Sequence, residues 1–143
     1  MKPKLKIKDD YDDFDPDEAL IIDKKNLDEE NRFQAKLMAK YSRIFGRKVK
    51  ERYNAELELD IIKDQLGDDV KENPKKWNLK KGERITEALI SRVIVRSERY
   101  QQAHKRYAKA YSEYKEWEGL LKACEQRAWS LKSLENLWEK NYY

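Results

Sequence analysis

Apolar side chains recur every three or four residues along most of this chain, which is the spacing of one face of an α-helix. The longest such series runs from Leu89 to Leu131 and is apolar or aromatic at every position except Arg96. Large aromatic residues alternate with alanine in it, a pattern typical of close contact between helices. The series therefore predicts one long helical segment with a packing face.

A second series at the same spacing runs from Met38 to Leu66. Its middle positions are Lys48 and Arg52, so two readings stay open: these side chains extend their charged ends to solvent from a packed face, or they line a basic surface. No proline interrupts the series, and Gly46 is its one glycine. The series predicts a second long amphipathic helix.

Glycine, proline and charge divide the chain into segments. We predict a flexible arm of alternating lysines and clustered acids at 1–18 and a single all-α domain at 19–143. Within that domain we predict a first helical segment at about 27–66, a Gly-, Pro- and Lys-rich loop at 67–82, and a second helical segment at about 83–139. No β-sheet is needed to explain the pattern.

The two helical segments differ in length. At about 1.5 Å per residue, the second segment would span about 84 Å and the first about 60 Å. One chain therefore cannot cover its own packing faces unless the second segment bends, near Ser97 or Gly119, or other copies cover them. We expect a homo-oligomer. The candidate oligomer interface is the C-terminal aromatic series: Tyr107, Tyr114, Trp117, Leu121 and Leu131.

Composition excludes several classes of protein. Charged residues make up 42% of the chain and the mean hydropathy is −1.10, with no apolar run long enough to cross a membrane. The first ten residues contain no apolar stretch of the kind found in secretory signals. The one cysteine, Cys124, excludes an internal disulfide and fits a reducing compartment. We therefore expect a cytoplasmic protein without a membrane partner.

Catalytic and cofactor motifs are missing from the sequence. One histidine, His104, and one cysteine cannot form a closed zinc site. The four glycines are scattered, with no phosphate-binding spacing. The carboxylates alternate with basic residues, as in surface ion pairs. We expect no enzyme activity, no metal and no cofactor.

Charge is distributed in blocks along the chain. Residues 31–56 carry a net +6 and residues 71–143 a net +7, whereas residues 1–30 carry −5 and residues 57–70 carry −4. Two basic zones separated by acidic ones indicate a surface for a polyanion, or else solvated helix faces. The candidate nucleic-acid-binding residues are Lys36, Lys40, Arg43, Arg47, Lys48, Lys50, Arg52, Arg92, Arg96 and Arg99. Tyr53 and Trp77 are the candidates for base stacking.

Two stretches share motifs with a known family. The first is IIDKKNLDEENRFQAKLMAKY, residues 21–41, and the second is YKEWEGLL, residues 114–121, followed by an RxxSLxxL pattern. With these motifs and its order of helix, loop and helix, the chain resembles, over residues 18–140, the UvsY-type recombination mediators of tailed phages. The family carries a basic pair at the end of the first long helix, where this chain has only Lys63, so the basic candidates above rest on charge alone.

The resemblance implies a function and partners. Mediators of this type are helical, closed homo-oligomers in the cytoplasm of the bacterial host and act in DNA recombination and repair. They bind single-stranded DNA, loosen the single-stranded-DNA-binding protein and help load a RecA-like recombinase. Two alternatives remain open: a helical structural or assembly protein that never binds DNA, and a helicase-loading accessory factor that reaches DNA only through a partner.

Overall fold

The computed structural model describes residues 15–140, and every regular element in that range is helical. The elements are α1 (Pro16–Ala19), α2 (Leu27–Glu72), a 3₁₀ turn η1 (Pro74–Trp77), α3 (Glu87–Ile94) and α4 (Glu98–Glu139). The prediction of an all-α chain with two long helices is confirmed. None of the helices in this range combines the length and the apolar character needed to cross a bilayer.

Internal contacts group the described residues into two compact units. Within the described residues, the first unit combines 15–48 with 114–140, and the second is Val49–Glu113. Each unit has a hydrophobic core of its own.

The core of the first unit forms where α2 and α4 pack together. Its buried members come from both helices: Leu37, Tyr41, Ile44, Trp117 and Cys124. The short helix α1 is joined to this core because the Tyr41 hydroxyl donates to the Pro16 carbonyl at 2.8 Å. The predicted arm at 1–18 lies largely outside the described residues, and its final part, Asp15 to Glu18, caps and forms α1.

The core of the second unit forms between α2, α3 and the start of α4. Its buried members are Leu59, Ile62, Leu66, Val70, Ile90, Val93, Ile94 and Ala103. Helix α3 begins at a side-chain cap, since the Thr86 hydroxyl accepts from the Leu89 amide at 3.2 Å. The same core holds η1 through Trp77, which packs against it.

Helix α2 ends six residues later than the sequence pattern predicts. Its apolar series continues for one more turn to Val70, which is fully buried. The helix stops at Asn73, because the proline that follows disfavours a helical conformation at the residue before it. Gly67, where the sequence predicts the loop to begin, lies inside the helix.

The second predicted segment is two helices. The break falls at Val95 to Ser97, one of the two positions where a bend was expected, and α4 continues through Gly119 without interruption. The side-chain amide of Gln101 closes the break by donating to the Val95 carbonyl at 3.0 Å. A three-residue interruption therefore separates α3 from α4.

Two glycines should respond in opposite directions to replacement by alanine. Gly119→Ala should raise the free energy of unfolding by about 0.5–1 kcal/mol, because a Cβ there meets nothing within 4 Å in a helix interior. Gly82→Ala should lower it by about 1 kcal/mol, because Gly82 has a φ of +85°. Urea denaturation of both variants checks the pair, and shifts of the same sign would contradict it.

Candidate nucleic-acid interface

A basic face on α2 within the first unit is the strongest candidate site. Residues 31–50 contain no acidic side chain. Lys36, Arg43 and Arg47 are exposed, and their spacing of seven and four residues places them on one face of the helix. Lys36 and Arg47 form no ion pair within the described part of the chain. Lys36 and Arg47 can therefore offer their charge to an anionic ligand.

Two predicted members of this cluster are buried instead. Lys40 is 2% exposed and Lys48 is 4% exposed. Lys48 lies seven residues after Tyr41 on the packed series of α2, so the helical period carries it inward although it is charged. Of the two readings that the sequence left open for Lys48, packing fits its burial better than a solvent-facing basic surface. Neither lysine contributes to the exposed face.

The second unit contains the remaining α2 candidates. Lys50 is exposed, Arg52 is half-buried, and Tyr53 is 62% exposed. A free tyrosine ring beside a lysine is suitable for stacking on a base, so this pair stays a prediction.

The second predicted basic cluster does not share one helix face. The helix break leaves Arg92 at the end of α3, Arg96 in the connecting turn and Arg99 in the first turn of α4. All three are exposed. The Arg99 guanidinium donates to the Gln65 side-chain oxygen of α2. Spacing of three and four residues places side chains on one face only in an uninterrupted helix, and the interruption between α3 and α4 removes that arrangement.

Trp77 is held by its own loop. Its indole Nε1 donates to the Asp69 carboxylate at 3.0 Å, and Lys76 pairs with the same carboxylate at 3.1 Å. Hydrogen bonds from Asn73, Lys76 and Trp77 hold the pKa of Asp69 below its ordinary value. The ring is half-buried, which matches a residue that anchors the loop and leaves part of one face for a ligand.

A lysine-rich groove of about 500 Å³ lies beside this loop. Its basic wall is formed by Lys75, Lys76, Lys80 and Lys81, and Leu79 and Ile85 contribute apolar surface. Glu72 and Glu83 also line it, so the charge is mixed. The groove is thus a weaker anion site than the acid-free face of α2.

The residues predicted as an oligomer interface pack within one chain. Trp117 and Leu131 are 5% and 1% exposed, and Leu121 packs against the core of the first unit. Tyr114 stacks on Phe45 with ring centroids 5.6 Å apart, whereas Tyr107 packs against the core of the second unit. These five side chains therefore make contacts inside the chain, and their role between copies of the chain stays a prediction.

Sequence reasoning missed a buried polar cluster in the first unit. The Arg127 guanidinium bonds to the Glu30 carboxylate, and its Nη1 donates to Gln34 Oε1 at 2.6 Å. The Gln34 amide in turn donates to the Cys124 carbonyl at 3.0 Å. Burial lowers the pKa of Arg127, although the charge of Glu30 opposes this. The cluster joins α2 to α4 and has no exposed surface for a ligand.

The buried thiol of Cys124 is unsuited to nucleophilic chemistry. Burial raises its pKa above the ordinary value, and the hydrogen bond from Gln34 offsets this only in part. Residues 15–140 contain no group of three or more side chains that could hold a metal ion. The exposed basic residues thus remain the main candidates for function.

Comparisons with family models, with curated proteins and with solved structures find no match to this chain.

Proposed function

We propose that this protein is a non-enzymatic recombination mediator that binds single-stranded DNA. In this proposal it is encoded by a phage, works in the host cytoplasm, and helps load a RecA-like recombinase in place of single-stranded-DNA-binding protein. The observation that supports DNA binding is the basic face of Lys36, Arg43 and Arg47 in a stretch of α2 without acidic residues.

The chemistry of this face fits the phosphate backbone rather than the bases. Lysine and arginine on one helix face contact successive phosphates and release counterions, which gives affinity without sequence preference. Tyr53 belongs to the second unit and is exposed, so it stays a separate candidate for base stacking. A mediator needs such binding, because it acts on any single strand exposed during recombination.

The proposed homo-oligomer explains how a modest site can be sufficient. Several copies engaging one flexible strand bind it more tightly than a single copy does, because the later contacts are intramolecular. Each individual contact stays weak enough to be released when the recombinase takes over the strand. The proposal therefore does not require a deep or tightly binding pocket.

Reversing two charges on this face should weaken DNA binding strongly. We expect Lys36→Glu combined with Arg47→Glu to reduce affinity for labelled oligo-dT roughly tenfold or more at low salt. The slope of log affinity against log salt should fall by about 1.4, because a single strand contributes about 0.7 per phosphate contact. Fluorescence anisotropy across a salt series measures both quantities.

A matched control separates this site from the effect of net charge. Lys122→Glu combined with Lys132→Glu makes the same change in charge, from +4 to 0, at exposed positions of α4. The control should bind much more tightly than the variant on α2. Equal loss in both would mean that only net charge matters. If the wild-type protein does not bind at low salt, the helical assembly role becomes the better explanation.

A further inference from the structure

The second unit carries an exposed apolar ridge on α2. Tyr53, Leu57 and Ile61 follow one another at four-residue spacing and are 62%, 47% and 47% exposed. Residues four apart are neighbours on a helix surface, so these side chains form one continuous patch. A groove of about 380 Å³, with Leu57, Ile61 and Arg99 in its wall, lies beside it. Contiguous exposed apolar surface of this kind marks a protein contact.

Opposite charges lie at equal distances on either side of Leu57. Lys50 precedes it by seven residues and Asp64 follows it by seven, and seven residues are close to two helical turns. All three side chains therefore lie along one line of the helix. Lys50 and Asp64 are both exposed, and neither pairs with another described residue. Tyr53 and Ile61 likewise lie four residues before and after Leu57.

We infer that this face binds a second copy of the chain, with the two α2 helices antiparallel around a two-fold axis beside Leu57. Leu57 then packs against the partner's Leu57. Lys50 lies opposite the partner's Asp64, about 10 Å from the axis at 1.5 Å per residue. The pairing is made twice, because a two-fold contact uses the same patch on both chains.

The charge pattern favours a second copy of the chain as the partner, and it favours the antiparallel orientation. A face with one basic and one acidic end is complementary to its own antiparallel copy. A parallel copy would place lysine beside lysine and aspartate beside aspartate, which is repulsive. The line from Lys50 to Asp64 spans about 21 Å of helix, so the contact is small. The inference does not depend on DNA binding.

Exchanging the two charges tests the pairing. Sedimentation velocity at up to several hundred micromolar should show wild-type dimers. Lys50→Asp and Asp64→Lys should each weaken the dimer at least tenfold, because each places like charges opposite one another twice. An equimolar mixture of these two variants, and the double variant, should restore dimers. Lys63→Asp, at an exposed position of α2 away from this line, should leave the dimer unchanged.

The outcomes that overturn the inference are equally direct. They are a wild-type protein that stays monomeric, single variants that dimerise like wild type, or a mixture that associates no better than its components. Far-UV circular dichroism on each variant confirms that helix content is unchanged. Since the substituted side chains are exposed, the fold should tolerate the changes.

Cysteine cross-linking gives an independent readout of the axis. Under mild oxidation, two chains of the Leu57→Cys variant should become linked by a disulfide between their introduced cysteines, because the two positions meet at the axis. Lys50→Cys should not, because its two copies lie about 21 Å apart in the antiparallel pair. Wild-type protein, whose one cysteine is buried, is the control. Cross-linking of Lys50→Cys as readily as Leu57→Cys would overturn the antiparallel pairing.

Discussion

Arg127→Met should lower the free energy of unfolding by about 3–5 kcal/mol. Arg127 and Glu30 are paired at 2% and 1% side-chain exposure, so removing the guanidinium leaves a carboxylate buried without its cation. The variant also loses the bond from Arg127 to Gln34 and the position of the guanidinium over the Phe33 ring. Urea denaturation followed by far-UV circular dichroism measures the loss.

Two controls distinguish burial from charge in this prediction. Arg106 and Glu58 form an ion pair at 2.7 Å whose side chains are about half exposed, so Arg106→Met should cost less than about 1 kcal/mol. Replacing both Glu30 and Arg127 with apolar residues should recover much of the loss, because neither charge of this pair is then left buried without the other. A cost for Arg127→Met as small as that of Arg106→Met would contradict the buried pair.

The helices of this chain follow from the sequence because their apolar residues keep a helical period. In α4 the series from Ala103 to Leu131 contains no exposed member. Arg96, the one charged position of the longer series, is exposed and lies in the break before α4. The spacing therefore predicted the packed face, and its one charged position coincides with the break between α3 and α4.

The polar residues of the core could not be assigned from residue type. Lysine, glutamate and arginine are rarely buried, so residue type alone gives no reason to place Lys48, Glu30 and Arg127 in the core. Glu30 and Arg127 are 97 residues apart, and no local pattern connects them. A signal was present nevertheless, since Glu30 and Lys48 both lie on the three-and-four spacing through Tyr41. Position on a packed face predicted burial better than charge did.

The exposed ridge on α2 is the opposite case, in which apolar side chains lie on the surface. Leu57 and Ile61 are apolar but lie away from the packed series of Leu59, Ile62 and Leu66. The three-and-four series from Met38 to Leu66 marks only one face of the helix, and Leu57 and Ile61 lie outside it. Two apolar faces on one helix indicate two packing partners. One face packs against the core of the second unit, and the other is open to a second partner.

Trp117→Ala should lower the free energy of unfolding by about 3–5 kcal/mol. Trp117 is 5% exposed and packs edge to face against Tyr41, with ring centroids 5.5 Å apart. Its removal leaves a cavity in the core of the first unit, where Tyr41 also positions α1. Trp129→Ala is the matched control on the same helix. Trp129 is 68% exposed, so its loss should change stability by less than about 0.5 kcal/mol.

The same variant decides between two roles for the aromatic series of α4. If Trp117 served only as a contact between chains, Trp117→Ala would yield a dissociated protein whose monomers keep wild-type stability. Packing within the chain predicts the opposite, a protein destabilised at every concentration, including those at which the wild type is monomeric. Denaturation curves of the wild type and the variant, recorded over a hundredfold range of protein concentration, distinguish the two results. Loss of a contact between chains makes the difference between the two midpoints depend on concentration, whereas loss of packing within the chain does not.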